Sequence, residues 1–382
     1  MRKVYFDSAA TTQVHPDVIT KMTEVLQDSY GNPSSIHAFG RSAKNLIEQA
    51  RKQIAKQLGV TAGEIIFTSG GTEADNLALN SSVRDLGVRH IITTRIEHHA
   101  VLHTVQELQK HQDIAVSYVK ILPTGAIDYA HLQELLQTAT EKTLVSLMHI
   151  NNEVGCILNI DAVAELCRTH NALFHSDMVQ SIGHFDANLA DITVDFTAVS
   201  AHKFHGPKGV GFAFVRKNSG LKPLIFGGEQ ERGFRGGTES VHNIVGMAEA
   251  LRLAYDNLEE DTAYVTGIKD YFTAQLKQHI PEVKFNADCC QNEHNTYTLL
   301  NVCLPISSEK AGILLFHLDI NGIACSRGSA CQSGSSKGSH VLSEILSAED
   351  IEKPSVRFSF SKFNTKEDVD YAVEVLKKFI ES

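Results

Sequence analysis

DFTAVSAHKFHGPKGVGFAFV, residues 195–215, decides how the chain is to be read. Two apolar, β-branched runs, Asp195–Ser200 and Val210–Val215, flank a segment that holds Lys203, Gly206, Pro207, Lys208 and Gly209. That reads as strand, tight loop, strand. A lysine between apolar strands is costly unless it is exposed, paired or chemically used. The used form is a Schiff base to a carbonyl compound, because a desolvated lysine becomes a nucleophile near neutral pH. Taken alone, the segment Ser200–Gly209 is better served by a plain surface-loop lysine, so the rest of the chain must decide.

Upstream, Glu64–Thr68 is a short strand, and Ser69-Gly70-Gly71-Thr72-Glu73 opens a helix running through Leu79. Further strands are expected near 89–94, 114–119, 143–150 and 172–176, alternating with helices near 98–109, 130–138 and 160–170. Helices over 15–28 and 36–58 precede them, the second capped by Ser34-Ser35 and closed before Gly59. This alternation predicts an α/β layer with a mostly parallel sheet flanked by helices. A long helical region follows over 238–279. The remainder changes character: a strand near 297–302, a helix near 309–319, a Gly/Ser-rich loop over 325–339, a strand near 355–360 and a closing helix near 366–380. We therefore expect a large domain over 13–256 and a smaller α+β domain built from 1–12 and 257–382.

The composition bounds the function. With 382 residues, 42% hydrophobic and 21% charged, the chain can bury one large core and a second smaller one. A formal net charge of −10 argues against a nucleic-acid or membrane-surface binder. The N-terminus, Met1–Asp7, has no apolar h-region, and no stretch is long enough to span a bilayer. The seven cysteines include no CxxC pair, so reduced thiols in a cytoplasmic protein fit better than a disulfide framework or a metal site.

Several strand ends carry candidate chemistry, each with an ordinary alternative. Ser69–Thr72 stands where a strand hands over to a helix, and free N–H groups beside glycines make an anion cradle; a tight turn capped by Thr72 is the alternative. Asp177 ends a strand at the edge where α/β folds bind ligands, and would pair with a protonated ring nitrogen, with Gln180 near a ring oxygen; a helix cap is the alternative. His98 follows a strand and would stack on a flat cofactor or move protons, unless it merely caps. Asn152 ends another strand and would bond a carboxylate or a ring, although turn asparagines are common. Arg357, within an apolar strand, demands an anionic partner, from protein or substrate. Cys331, on a glycine-rich loop, is the best nucleophile candidate, since unreactive cysteines are mostly buried. Cys325, after Ile323-Ala324, reads as a packing residue of the small domain.

Together and in this order, these stretches resemble the class V, fold type I, pyridoxal-phosphate enzymes, and among them the NifS/IscS-like cysteine desulfurases. The resemblance runs from Tyr5-Phe6-Asp7-Ser8-Ala9-Ala10-Thr11-Thr12 through Tyr30–Ser35 to Arg357-Phe358-Ser359. Its strongest marks are Ala201-His202-Lys203 with Gly206–Gly209, and Gly328-Ser329-Ala330-Cys331. It implies pyridoxal 5′-phosphate on Lys203, with Asp177 at the ring nitrogen, Gln180 at the ring oxygen and His98 over the ring. Gly71, Thr72, Ser200 and His202 would hold the phosphate, and Thr238 would reach the phosphate of a second subunit, implying a homodimer with shared sites. Arg357, helped by Asn32 and Asn152, would bind the carboxylate of L-cysteine, and Cys331 would take its sulfur as a persulfide, leaving L-alanine. A scaffold or sulfur-relay protein would accept that sulfur, for iron–sulfur clusters, thio-cofactors or tRNA.

Two departures from the family pattern are Met178, where alanine is common after the aspartate, and Arg327, where a small residue is frequent. The rival readings are a selenocysteine lyase or aminotransferase of the same class, the latter with no use for Cys331, and a non-catalytic sulfur carrier.

Overall fold

The structure, a computed structural model, describes residues 2–291, 293–327 and 338–382. After a two-residue strand, β1 (Val4–Tyr5), come helices α1 (Pro16–Asp28) and α2 (Ala38–Gln57). Pro16 suits the first turn of α1, where its missing N–H costs nothing. The cap of α2 is His37, whose Nδ1 accepts from the Gly40 N–H, rather than the Ser34-Ser35 pair. Asn32 Oδ1 takes the Ser34 N–H and holds those serines in a turn.

Strands and helices then alternate: β2 (Ile65–Thr68), α3 (Gly71–Leu86), β3 (His90–Thr93), α4 (His99–His111), β4 (Ala115–Tyr118), α5 (Tyr129–Thr138), β5 (Thr143–Ser146), α6 (Ile160–Thr169), β6 (Leu173–Asp177), β7 (Phe196–Ser200) and β8 (Gly211–Val215). They form one seven-stranded sheet among the described residues, in the order β2-β8-β7-β6-β5-β3-β4. Only β8 runs against its neighbours. Every residue of β2, β3, β5, β7 and β8 is buried, as expected of strands covered on both faces. One face packs on α1, α2, α6 and α7 (Val241–Asp256) through Val18, Ile54, Val163 and Leu251; the other packs on α3 and α4 through Leu77 and Val105. The carboxyl ends of β2, β3, β5, β6 and β7 therefore open on one edge, the edge where such sheets bind ligands.

The helical region expected over 238–279 is two helices, α7 and α8 (Leu258–His279), meeting at Asn257, whose side-chain amide bonds back to the Leu253 carbonyl. α3 runs past Leu79 to Leu86, and β5 stops at Ser146, short of the expected 150. A second core follows. β9 (Lys284–Phe285), β10 (Leu299–Cys303), α9 (Ser308–Ile320), β11 (Ile323–Ala324), α10 (His340–Ile345), β12 (Ser355–Ser359) and α11 (Lys366–Glu381) build it together with α8. Its antiparallel sheet is β12-β10-β9, while β1 pairs in parallel with β11. Val4 and Phe6 are thus buried with Phe272, Val302, Phe358 and Leu376, so the N-terminus belongs to the second core while α1 belongs to the first.

Candidate active site

At the carboxyl edge of the large sheet lies a cavity of about 440 Å³. Lys203, in a single 3-10 turn directly after β7, reaches into it, and its Nζ donates to the carbonyls of Ala9 (2.6 Å) and Ala10 (2.9 Å). The N-terminal segment is pinned over this turn: the Thr12 N–H donates to the His202 carbonyl, and the His205 N–H to Thr12 Oγ1. Across the cavity, Asp177 closes β6 and accepts the Val179 N–H at 2.9 Å. Burial raises the Asp177 carboxyl to about 6, opposed by that N–H and by the positive charge of Lys203. Gln180 donates to the Ala9 carbonyl at 3.0 Å.

His98 caps α4 and lines the cavity, its Nδ1 accepting the Ala100 N–H. Burial, helped by the charge of Lys203, lowers it to about 4, so it is neutral at pH 7. The start of α3 faces the same space. Gly70, the cap residue, offers no side-chain oxygen, which leaves first-turn N–H groups aimed at the cavity beside Ser200 and His202. Position 71 favours glycine: a Cβ there would stand 2.6 Å from Val179 Cγ2, and that side chain would have to shift. His202, lowered to about 4 by burial first, bonds Thr11 Oγ1 through Nδ1.

The second core contributes Arg357. From the middle of β12 its Nη2 meets Asp7 Oδ1 at 2.9 Å and its Nη1 donates to the Asn152 carbonyl at 2.7 Å. Both Asn152 and Arg357 line the cavity, and Arg357 Nε is buried without a partner. The guanidinium thus has its internal carboxylate and still borders open space. Asp7 was not singled out in the sequence, although it sits in the Tyr5–Thr12 stretch; 350 residues separate it from Arg357. Ala9, Ala10 and Asp75 were missed likewise.

Not every expected residue joins this cavity. Asn32 and Thr238 line a separate cleft of about 330 Å³, beside Tyr30 and Glu239. Met178 is fully buried in the large core instead of bordering the cavity. Thr72 does line it but does not cap α3. Cys331 lies outside the described residues. The residues on either side are held near the cavity: Ser326 donates to Asp7 Oδ1, the same oxygen that pairs with Arg357, and Ser339 donates to Glu153, next to Asn152. Cys325 packs against the second core, its thiol pushed up to about 12 by burial and by Asp7.

A cavity with an amine at one wall, a carboxyl at another and an uncapped helix N-terminus at a third suits a flat cationic ring carrying an aldehyde and a phosphate. Pyridoxal 5′-phosphate has that donor and acceptor set. Residues 4–372 match the family described as aminotransferase class-V. Cysteine desulfurase IscS of Dictyoglomus turgidum is 39% identical over 382 residues, covering 100% of this chain and 95% of its own length. Cysteine desulfurase IscS of Clostridium botulinum (strain Kyoto / Type A2) is 40% identical over 384 residues, 99% and 94%. This chain belongs to the class-V aminotransferases, among the IscS and NifS-like cysteine desulfurases. A solved NifS-like protein gives a TM-score of 0.90 at 35% identity across 100% of both chains. SspA in complex with cysteine gives 0.81 at 31%, over 95% of this class-V chain and 100% of SspA.

Proposed function

We propose that this class-V chain removes the sulfur of L-cysteine, using pyridoxal 5′-phosphate, and releases L-alanine. The observation that carries the reading is that the Lys203 amine and the Arg357 guanidinium, supplied by different cores, border one cavity with Asp177 between helix N-terminus and strand ends. Pyridoxal 5′-phosphate, when bound, supplies an electron sink that acidifies the substrate Cα and loosens its C–S bond. The rest falls to the chain. Lys203 would hold the cofactor covalently and move the Cα proton. Asp177 would give the counter-charge for the ring nitrogen, Gln180 would serve the ring oxygen, and neutral His98 would border the ring and accept or return a proton. Gly71, Thr72, Ser200 and His202 would hold the phosphate. Arg357, with Asn152 beside it, takes the substrate carboxylate.

The Cys331 thiolate then attacks the substrate sulfur. An S–S bond forms on Cys331, the C–S bond breaks, and its electron pair stays on Cβ to be protonated, giving alanine. The persulfide passes to an acceptor protein of scaffold or relay type in the cytoplasm. A second copy of this chain completes each site, with Thr238 reaching the phosphate across the interface and Asn32 near the substrate. Exposed Leu26 and Tyr30, which line the cleft of Asn32 and Thr238, and exposed Phe39, stacked on Tyr30, support such a covered face.

Mass spectrometry after L-cysteine is added tests the reading: one extra sulfur on the peptide holding Cys331 is expected, and none in Cys331→Ala. Cys331→Ala should keep the colour of bound cofactor and lose sulfide release, whereas Lys203→Ala should be colourless or bind cofactor weakly. Undiminished sulfide release by Cys331→Ala excludes a persulfide on Cys331 and leaves the lyase, whereas loss of the amino group with no sulfide from either protein is the mark of an aminotransferase.

A further inference from the structure

The cavity lining includes a carboxyl that the proposed chemistry leaves unused. Asp75, on the second turn of α3, is 1% exposed, and its side-chain oxygen lies within 4.8 Å of both the Asp177 carboxylate and a His98 ring nitrogen. Its Oδ1 has no hydrogen-bond partner and faces His175 Nε2 at 3.4 Å. His175 stands two residues before Asp177 on β6, on the same face of the strand, and its Nδ1 meets Ser146 Oγ at 2.9 Å. Ser146, His175, Asp75 and Asp177 thus form a buried row leading to the place of the ring nitrogen.

Two carboxyls this close and this buried do not both ionise; the pair keeps one proton. The surroundings decide which holds it. Asp177 accepts a backbone N–H and sees the charge of Lys203 across the cavity, both of which favour its anion. Asp75 accepts no such bond at Oδ1, and the groups turned toward it are acids or neutral rings: Asp177 and His175 on β6, and Glu97 and His98 between β3 and α4. Burial first, then the charge of Asp177, push the Asp75 carboxyl well above its ordinary range. His175 is lowered to about 3 by burial and offers it an uncharged nitrogen.

We propose that Asp75 is a positioning residue, a carboxyl that keeps its proton, directs it toward His175 and leaves Asp177 as the single anion at the ring-nitrogen end of the cavity. It acts through Asp177 and rests on the cofactor reading above. Its consequence is a fixed proton count under the ring: one anion facing one cation, with a neutral donor behind it.

Carbon-13 NMR of protein labelled at the aspartate side-chain carboxyl tests this, with Asp75→Asn and Asp177→Asn assigning the two resonances. In the holoenzyme and in the cofactor-free protein at pH 7, the Asp75 carbon is expected in the carboxylic-acid range and that of Asp177 in the carboxylate range. An ionised Asp75 at pH 7 overturns the proposal. A second readout is retention of pyridoxal 5′-phosphate: Asp75→Ala weakens it about ten-fold, and Asp75→Asn, which keeps a neutral donor, recovers most of that loss. Equal losses in both variants refute the neutral-donor role. A wild-type protein that never takes up pyridoxal 5′-phosphate defeats the preceding section alone, because the resonance of Asp75 is read without cofactor.

Discussion

Glu97 offers a prediction whose size follows from burial. It is 1% exposed, its Oε1 accepts from Thr94 Oγ1 at 2.7 Å, and its Oε2 has no partner. Burial raises it from 4.5 to about 8, against the hydrogen bonds from Thr94 and the Met148 backbone and with help from the charge of Asp177. Between those values the folded protein holds a proton that the unfolded chain has released. Stability is therefore full below the unfolded value and falls as pH rises through the folded one, by about 1.4 kcal/mol per pH unit. The limit is roughly 5 kcal/mol, of which about 3 kcal/mol has gone by pH 7. Glu97→Gln keeps the acceptor for Thr94 and cannot ionise. Its second group becomes a buried amide without a partner, a cost that does not vary with pH. The slope, not the intercept, carries the answer. Urea unfolding of both cofactor-free proteins, followed by circular dichroism from pH 5 to 9, should show the variant gaining on the wild type up to about pH 8 and level beyond. Buried histidines titrate in both proteins and cancel in the difference. Parallel curves across that range would falsify the claim that Glu97 is a protonated acid in the fold.

Two further outcomes follow from buried cations. Arg51 is 2% exposed and grips Glu231 with two bonds of 2.7 and 2.8 Å, while Glu231 also accepts the Phe67 N–H; Glu231→Gln leaves the guanidinium only Glu48, at 3.0 Å, as a carboxylate partner and should cost about 3 kcal/mol in urea unfolding. A loss below about 1 kcal/mol would show that Glu48 suffices to pair Arg51. Arg357→Leu should raise KM for L-cysteine by roughly ten- to a hundred-fold with a smaller fall in kcat, the mark of lost carboxylate binding; an unchanged KM contradicts the role given to Arg357.

What the sequence made legible were features that local chemistry writes into adjacent residues. Runs such as Phe196–Ser200 and Phe212–Val215 lack alternation because both sheet faces are covered, so they declare a buried strand. Strand ends followed by Gly, Asp or Asn mark the carboxyl edge, and Lys203, Asp177, His98, Ser200 and Asn152 do meet there. Contacts between distant residues were not legible. Nothing local ties Asp7 to Arg357, or the two-residue strand β1 to β11, and strands that short carry no periodicity. Asp75 was hidden for a related reason: within a helical stretch it reads as an exposed polar position until β6 is laid beneath it. The break at Asn257 was masked by good helix formers on both sides, among them Leu253, Ala254, Leu258 and Glu259. Asn32 and Thr238 share a cleft away from Lys203, and no local feature of either residue sets it apart from those that line the cavity.

The cavity owes its shape to being shared. Its floor and one wall are strand ends of a rigid sheet, fixed by the register of β6 and β7, whereas Arg357 rides on β12 in the second core. Asp7 joins the parts: it lies between Phe6, buried in the second core, and Ala9, whose carbonyl accepts from both Lys203 and Gln180. The same Asp7 oxygen takes Arg357 and Ser326, so the cation proposed to bind the substrate carboxylate and the start of the segment that leads to Cys331 are referenced to one atom. A displacement of the small core against the sheet would move that cation and that segment together relative to Lys203. In the proposed reaction, where a thiol meets sulfur on a substrate held by its carboxylate, the anchor at Ser326 would therefore follow Arg357 rather than the sheet, so that a shift of one carries the other with it.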